Sequence, residues 1–259
     1  MKLSIITPTL NSNQYLEECA NSILINQNYD NYEWLIIDGG STDSTFEILD
    51  SYNSSKIRII KDVSNHPSIA YNKGLQAATG EIISTLGSDD MYEKNIFEEI
   101  IKIFSMNSVD WLIGHNSIID SKSKEVRKYI TNFKTKKINN FSYQSLVLDN
   151  YVPMQSVFWK KKFMPEKIGY FNNDEFIESM DYEAWLRMAK VSRPYILKKR
   201  LSAFRVHKNS ITSKVNLKQM NEMTEISIKY LGNNLFLKFY LYIKMFLIII
   251  IYKFFKFFY

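Results

Sequence analysis

Residues 85–92 read Thr-Leu-Gly-Ser-Asp-Asp-Met-Tyr, so two adjacent carboxylates, Asp89 and Asp90, follow directly on an apolar run. Adjacent like charges repel, and two arrangements accommodate them. In one, Ser88 or Asp89 caps a helix that starts near Tyr92, and Asp90 sits favourably at its positive end. In the other, the pair offers oxygen ligands to a hard divalent cation, Mg²⁺ or Mn²⁺. Such an ion takes only one or two protein carboxylates when a diphosphate and water supply the other oxygens.

Other acids occupy comparable places. Asp38 opens Asp-Gly-Gly-Ser-Thr-Asp-Ser-Thr, residues 38–45. Gly39 and Gly40 let the backbone turn tightly and approach a ligand, and Ser41 suits a helix cap. An ordinary strand-to-helix turn accounts for the same residues. No GxxxxGK[ST] loop is present, which excludes a P-loop NTPase, and the GxGxxG dinucleotide fingerprint is missing. The one cysteine, Cys19, rules out a disulfide framework within the chain and fits a reducing compartment. Its helical context, Tyr-Leu-Glu-Glu-Cys-Ala-Asn, reads as a small core residue.

The elements that position these acids alternate along the first half. Apolar strands at 3–9, 32–38, 56–62 and 81–87 are separated by amphipathic helical patterns at 12–26, 41–52, 68–79 and 91–106. Continuous apolar strands between such helices predict an α/β fold with a mostly parallel sheet covered on both faces. Right-handed crossovers then bring every carboxyl strand end to one edge, where open α/β sheets bind ligands. Thr7, Pro8, Thr9, Asp38, Asp62, Ser88, Asp89 and Asp90 all fall at that edge. The second half is less regular. Residues 110–120, 124–130 and 152–163 look like strands, 181–191 like a short helix, 195–207 like a strand pair or one bent strand, and 216–231 like an amphipathic helix. With 46% hydrophobic and 23% charged residues, a core is available and global disorder is excluded.

These segments, in order, resemble family 2 glycosyltransferases of the GT-A (Rossmann-like) fold. The matching stretches are SIITPTLN, EWLIIDGGSTDST, AYNKGLQAATGEIISTLGSDDMY and DYEAWLRMA, spread over residues 1 to 210. The resemblance implies a nucleotide-sugar, a UDP-sugar by preference, lying across the ends of the first four strands, with Mn²⁺ or Mg²⁺. Thr7, Pro8 and Thr9 would line the nucleotide pocket, and Asp38 would accept a hydrogen bond from the base. Asn72 and Lys73 match a helix segment beside the donor. Ser88-Asp89-Asp90 matches the family's DxD motif with serine in the first place, so Asp89 would orient the donor and Asp90 bind the metal. Asp181 matches the catalytic base, although Met180 stands where the family commonly has Glu. One base implies a single, inverting displacement. Glu178 is the runner-up for the base, on the acceptor side. Gln155 matches an acceptor-side position, with Met154 in place of the usual His. His207, in Arg-Val-His, matches a strand end that approaches the metal or diphosphate. His66 and His115 read as structural. The contrasting reading is an inactive nucleotide-sugar-binding or membrane-binding module of the same fold; intact Asp38, Asp89, Asp90 and Asp181 argue against it. A nucleotidyltransferase is disfavoured because no Gly-rich N-terminal phosphate loop with a basic residue is present.

Four of the net +6 charges, Lys238, Lys244, Lys253 and Lys256, sit in the acid-free residues 235–259. The remaining chain is near neutral and carries no basic stripe of the kind nucleic acid requires. All other tail residues are apolar or aromatic. At about 100° per residue, Lys238, Lys253 and Lys256 fall within roughly 60° of one another, with Lys244 off that face. This predicts an amphipathic helix lying in a membrane interface rather than a single spanning helix. The expected organisation is a glycosyltransferase domain at 1–210, with a donor half at 1–110 and an acceptor half at 111–210, and a helical extension at 211–259. The start MKLSIITPTL has no signal-peptide pattern. The expected location is the cytoplasmic face of the plasma membrane, held peripherally, with a lipid-linked oligosaccharide as acceptor.

Overall fold

The computed structural model describes residues 1–62, 66–106, 108–172, 174–208 and 217–258, with side chains to residue 247. Strands β1 (Leu3–Thr9), β2 (Tyr32–Asp38), β3 (Ile57–Lys61) and β4 (Ile82–Thr85) alternate with helices α1 (Leu16–Leu24), α2 (Thr45–Ser51) and α3 (Pro67–Ala77). All pairings among these four strands are parallel. A two-residue strand β5 (Met91–Tyr92) and helix α4 (Phe97–Met106) follow. Then come β6 (Trp111–Ile119), α5 (Lys128–Asn139), α6 (Tyr143–Leu148), β7 (Val157–Lys160), α7 (Met180–Val191), β8 (Tyr195–Arg205), α8 (Leu217–Tyr230) and α9 (Leu235–Phe258).

The eight strands form one sheet in the order β3-β2-β1-β4-β7-β6-β8-β5. β7 runs antiparallel to β4 and β6, and β5 antiparallel to β8, so the sheet is mixed in its second half. Alternation along each strand feeds two cores. Ile5, Trp34 and Ile36 face α1, α2 and α4, where Leu16, Ile23, Leu49 and Phe104 meet them. Ile6, Leu35 and Ile37 face the other way, toward Leu75 of α3, Trp185 of α7 and Ile226 of α8. A fully buried aliphatic or aromatic side chain contributes about 1.5–3 kcal/mol, so these layers fix the strand ends that carry the acids. Gly74 brings α3 hard against β1: a Cβ there would stand 2.3 Å from Ile6 Cγ2.

Two expectations change. Residues 124–130, read as a strand from the alternation Lys-Glu-Val-Arg, make only an isolated bridge between Glu125 and Ile119, and the chain then enters α5. The long segment 195–205 is one bent strand, whose register against β6 shifts around His115. Helix α8, assigned to the extension from sequence, puts Ile226 into the core beside α6 and α7. Helix α9 lies against α8 with Leu241 turned inward. Lys244 is off the lysine face because it turns to the protein: its Nζ donates to Leu148 O at 3.2 Å and lies 3.4 Å from Asp149 Oδ1. Among the described residues, no helix is long and apolar enough to cross a membrane.

Candidate active site

The Asp89–Asp90 turn lies between β4 and β5 and is held from three directions. Gly87 O accepts from Asp90 N at 3.1 Å. Gln155 Nε2 donates to Asp90 Oδ2 at 2.7 Å, and Arg205 N donates to Asp90 Oδ1 at 2.8 Å. His207 Nε2 lies 2.9 Å from Asp89 Oδ2. A Cβ on Gly87 would come within 2.8 Å of both Asp89 Oδ1 and Asp90 Oδ2, so only glycine lets the two carboxylates fold back over the strand end. Asp90 is buried at 2% exposure, whereas the Asp89 side chain is 32% exposed. Burial, and then repulsion from Asp89, push the Asp90 carboxyl up to about 8, against the pull of its two hydrogen bonds. Ser88 does not cap a helix; its Oγ meets Ser12 Oγ at 2.8 Å and ties the loop after β4 to the loop after β1.

Arg205 organises this turn; the Arg-Val-His match pointed to this strand end through His207 and gave the arginine no role of its own. Its guanidinium is fully buried. Nε donates to Asp89 O at 2.8 Å, Nη1 to Asp120 O at 3.1 Å and to Ser123 Oγ at 2.9 Å, and Nη2 to Glu18 Oε2 at 3.0 Å. The Tyr15 ring covers its face at 4.5 Å and also packs against His207 at 4.7 Å. A planar fork with every edge engaged holds the turn in one geometry. The end of β8 therefore serves the turn three ways: through the Arg205 main chain, the Arg205 side chain and His207.

The remaining donor-side residues divide. Thr7 is buried and its Oγ1 accepts from Trp34 Nε1 at 2.9 Å; Thr9 Oγ1 donates to Thr7 O at 3.2 Å. Pro8, between them, is half-buried. Asp38 has no exposed surface: its oxygens accept from Gly40 N, Ser41 N and Ser41 Oγ at 2.5–3.2 Å. Three donors engage its two oxygens, with Ser41 N shared between them, so Asp38 shapes the Gly39-Gly40 turn. Asn72 is likewise engaged in both directions, its Nδ2 donating to Phe171 O at 2.9 Å and its Oδ1 accepting from Phe171 N at 3.0 Å. It clamps the loop before α7 onto α3. Lys73 Nζ donates to Lys61 O at 2.6 Å and stands 3.8 Å from Asp62 at the end of β3.

Asp181 lies in the first turn of α7. Burial raises its carboxyl above the ordinary range, opposed first by the Tyr182 N–H and then by the Lys134 ammonium. Lys134, on α5, is lowered by burial and held up by Asp181 and Asp149. The partnership spans 47 positions and has no sequence signal. Tyr71 of α3 joins the two acid groups. Burial raises its phenol well above the ordinary value, and Asp90, Asp89 and Asp181 raise it further in that order. Both acid groups therefore act on one side chain. Glu178 stands apart: its carboxylate lies 3.7 Å from Lys218 of α8, while its N–H donates to Glu222. Gln155, expected beside the acceptor, reaches the two-acid turn instead. His66 Nδ1 is 2.7 Å from Ser68 Oγ and His115 Nε2 is 2.8 Å from Asn139 Oδ1, structural positions both.

Asp89, Asp90 and His207 offer hard oxygens and one imidazole, a donor set that suits Mn²⁺ or Mg²⁺. Mutual repulsion of the acids is what a cation would relieve. Among the described residues no three His, Cys, Asp or Glu side chains form a ready-made cage.

The model of the glycosyl transferase family 2 matches residues 4–164. The teichuronic acid biosynthesis glycosyltransferase TuaG of Bacillus subtilis, itself named as putative, is 25% identical over 215 residues, 82% of this chain and 81% of TuaG. The glycosyltransferase GlyG of Streptococcus pneumoniae is 28% identical over 178 residues. That match takes in 68% of this chain and 54% of GlyG, about half of its length. Among solved structures, residues 1–349 of S. aureus TarS in complex with UDP superpose with a TM-score of 0.68 at 21% identity, covering 91% of this chain and 67% of that one. The mannosyltransferase PcManGT of Pyrobaculum calidifontis, solved with GDP-Man and Mn²⁺, gives a TM-score of 0.66 at 16% identity, covering 90% and 64%. These likenesses establish the fold.

Proposed function

Because the chain belongs to glycosyltransferase family 2, we propose that it transfers a sugar from a nucleotide-sugar, a UDP-sugar by preference, to an acceptor hydroxyl with inversion at the anomeric carbon. The observation that carries this reading is the Asp89–Asp90 turn after β4, its carboxylates held by Gln155, the Arg205 main chain and His207, with Asp181 as a second acid in the first turn of α7. One group suits a diphosphate leaving group and the other suits an incoming hydroxyl.

In the proposed reaction Asp181 takes the proton of the acceptor hydroxyl as that oxygen attacks the anomeric carbon. The bond to the diphosphate breaks, and its electron pair departs with the nucleoside diphosphate. A carboxyl pKa raised by burial makes Asp181 a stronger base, when ionised, than a solvated aspartate. Asp90, with Asp89 and His207, would hold Mn²⁺ or Mg²⁺, whose chemistry is to offset the charge growing on the leaving group. Thr7, Pro8, Thr9 and the turn built on Asp38 would wall the nucleoside. Lys73 would stand near the donor at the end of β3, and Ser88 and Asp89 would face its sugar. Gln155 would fix the orientation of Asp90.

The likeness to TuaG, a putative teichuronic acid biosynthesis glycosyltransferase, and to TarS, solved with UDP, supports a cell-surface polysaccharide and a uridine nucleotide. An acid-free α9 with outward Phe236, Phe239 and Phe246 supports a lipid-linked oligosaccharide acceptor, met at the cytoplasmic face of the plasma membrane. The test is incubation with Mn²⁺ and a panel of nucleotide-sugars, reading nucleoside diphosphate release and, by NMR, the anomeric configuration of the product. Release with one donor and an inverted product are expected. A retained configuration would overturn the single-base mechanism, and no release with any donor and acceptor would overturn the reading.

A further inference from the structure

Helix α5 has a composition that catalysis does not use. Residues 128–139 contain Lys128, Lys134, Lys136 and Lys137 and no acid. Its inward face is Thr131 and Ile138. Nearly opposite on the helix, Tyr129 is 85% exposed and Phe133 45% exposed, with Ile130 beside them at 39%. Tyr129 and Phe133 are four residues apart and so stand one above the other. Isolated exposed apolar residues are ordinary, but an aromatic row flanked by lysines only is not a solvated helix face.

The neighbours of α5 give that row its meaning. Lys137 of α5 reaches α6, with Nζ 3.4 Å from Ser145 Oγ. One turn further along α6, Leu148 O and the adjoining Asp149 receive Lys244 of α9. Helix α6 is thus flanked by α5 and α9, two acid-free helices with aromatic residues turned outward. On α9 these include Phe236 at 80% exposure, Phe239 and Phe246. The same α6 carries the base end of the site: Tyr182, next to Asp181, donates from its hydroxyl to Leu146 O or Val147 O at 2.8–2.9 Å.

We propose that α5 is a second membrane-docking element, forming with α9 one surface that sets the acceptor side of the site against a bilayer carrying anionic headgroups. The inference rests on the membrane-held acceptor of the preceding section. Charge complementarity selects the occupant. Lysines on both helices match an anionic surface at about 1 kcal/mol each near it, and aromatic rings suit the interfacial depth. A one-helix anchor leaves the body free to swivel; contacts on both flanks of α6 fix the Asp181 end toward the lipid.

The test uses the full chain and co-sedimentation with vesicles of phosphatidylcholine containing phosphatidylglycerol, with pure phosphatidylcholine as the neutral arm. Wild type is expected to bind the anionic vesicles alone. The Tyr129→Ser/Phe133→Ser double variant is expected to bind them about tenfold more weakly, with circular dichroism and donor hydrolysis in solution unchanged. Lys128→Glu/Lys136→Glu, which keeps the aromatic row, is expected to weaken binding as well. If the aromatic double variant binds as wild type does while Phe239→Ser/Phe246→Ser alone loses binding, the α5 proposal is overturned and the α9 anchor survives. If wild type binds neither vesicle, or forms a dimer in light scattering that the α5 variants abolish, the surface is not a lipid surface. Sugar transfer to a soluble acceptor is read separately, so failure here does not count against the glycosyltransferase reading.

Discussion

The Asp89–Asp90 turn and the start of α7 each carry an aspartate whose carboxyl burial pushes up, yet they are built on opposite plans. Asp90 is gripped by Gln155 and the Arg205 main chain, and its neighbour by His207 and the Arg205 side chain. Asp181 has the backbone N–H of its own helix and the distant field of Lys134. A group meant to hold an ion and a departing diphosphate must not move, so its geometry is fixed by many bonds. A group meant to take a proton needs an oxygen left available and a pKa set by its surroundings. On the proposed reading the same residue type would serve two tasks, one immobilised by contacts and the other tuned by burial.

That contrast breaks in different ways under substitution. The largest effect on stability is expected from Arg205→Ala, which leaves Asp89 O, Asp120 O and Ser123 with lost partners in a buried place. A loss of about 3 kcal/mol is expected in urea denaturation, together with loss of the cation-dependent thermal shift. Gly87→Ala comes next and acts more locally. The added Cβ displaces both carboxylates by several tenths of an ångström, so the Mn²⁺-dependent affinity for nucleotide is expected to fall about tenfold, or 1.4 kcal/mol, while stability changes by about 1 kcal/mol or less. Lys134→Gln is the smallest and the most specific to the base. Removing a positive charge beside Asp181 raises its pKa further, so the acidic limb of the kcat/KM profile is expected to move to higher pH. A limb that stayed in place or moved to lower pH would show that Lys134 does not act on the base.

The metal-free protein offers a further contrast in its pH dependence. The Asp90 pKa is raised in the fold, so the folded state holds a proton that the unfolded chain releases. Its contribution to stability is present below the ordinary aspartate range and is lost as pH rises toward about 8. A cation removes that cost by stabilising the charged form. Stabilisation by Mn²⁺ in thermal melts is therefore expected to grow with pH over this window.

Much of the donor half was legible because its signals are local. Strands of four to seven residues, each followed by a polar turn, run parallel and deliver Asp38, Ser88, Asp89 and Asp90 to one edge. The acceptor half was less so, because its relationships are long-range. Residues 124–127 alternate like a strand, but Arg127 adopts a left-handed φ of 51° and α5 begins directly after it. Arg205 enters the sequence reading only as the first residue of Arg-Val-His, and the fold shows Glu18, Asp120 and Ser123 gathered round it. Asp38 was read at the strand-end edge and Asn72 on the helix beside the donor, and the fold adds bonds to turns and clamps that a motif does not specify. Gln155 shows the same limit from the other side: its place beside Asp90 depends on β7 running next to β4, a pairing across 70 residues.

The most direct test of the two-acid account titrates one nucleotide-sugar with Mn²⁺ into Asp181→Asn and Asp90→Asn, reading binding and nucleoside diphosphate release on the same samples. Asp181→Asn is expected to bind as wild type does and to turn over about a thousandfold more slowly. Asp90→Asn is expected to lose cation-dependent binding and turnover together. An Asp181→Asn protein that turns over at the wild-type rate would contradict the assignment of the base and, with it, the division of labour between the two acid groups.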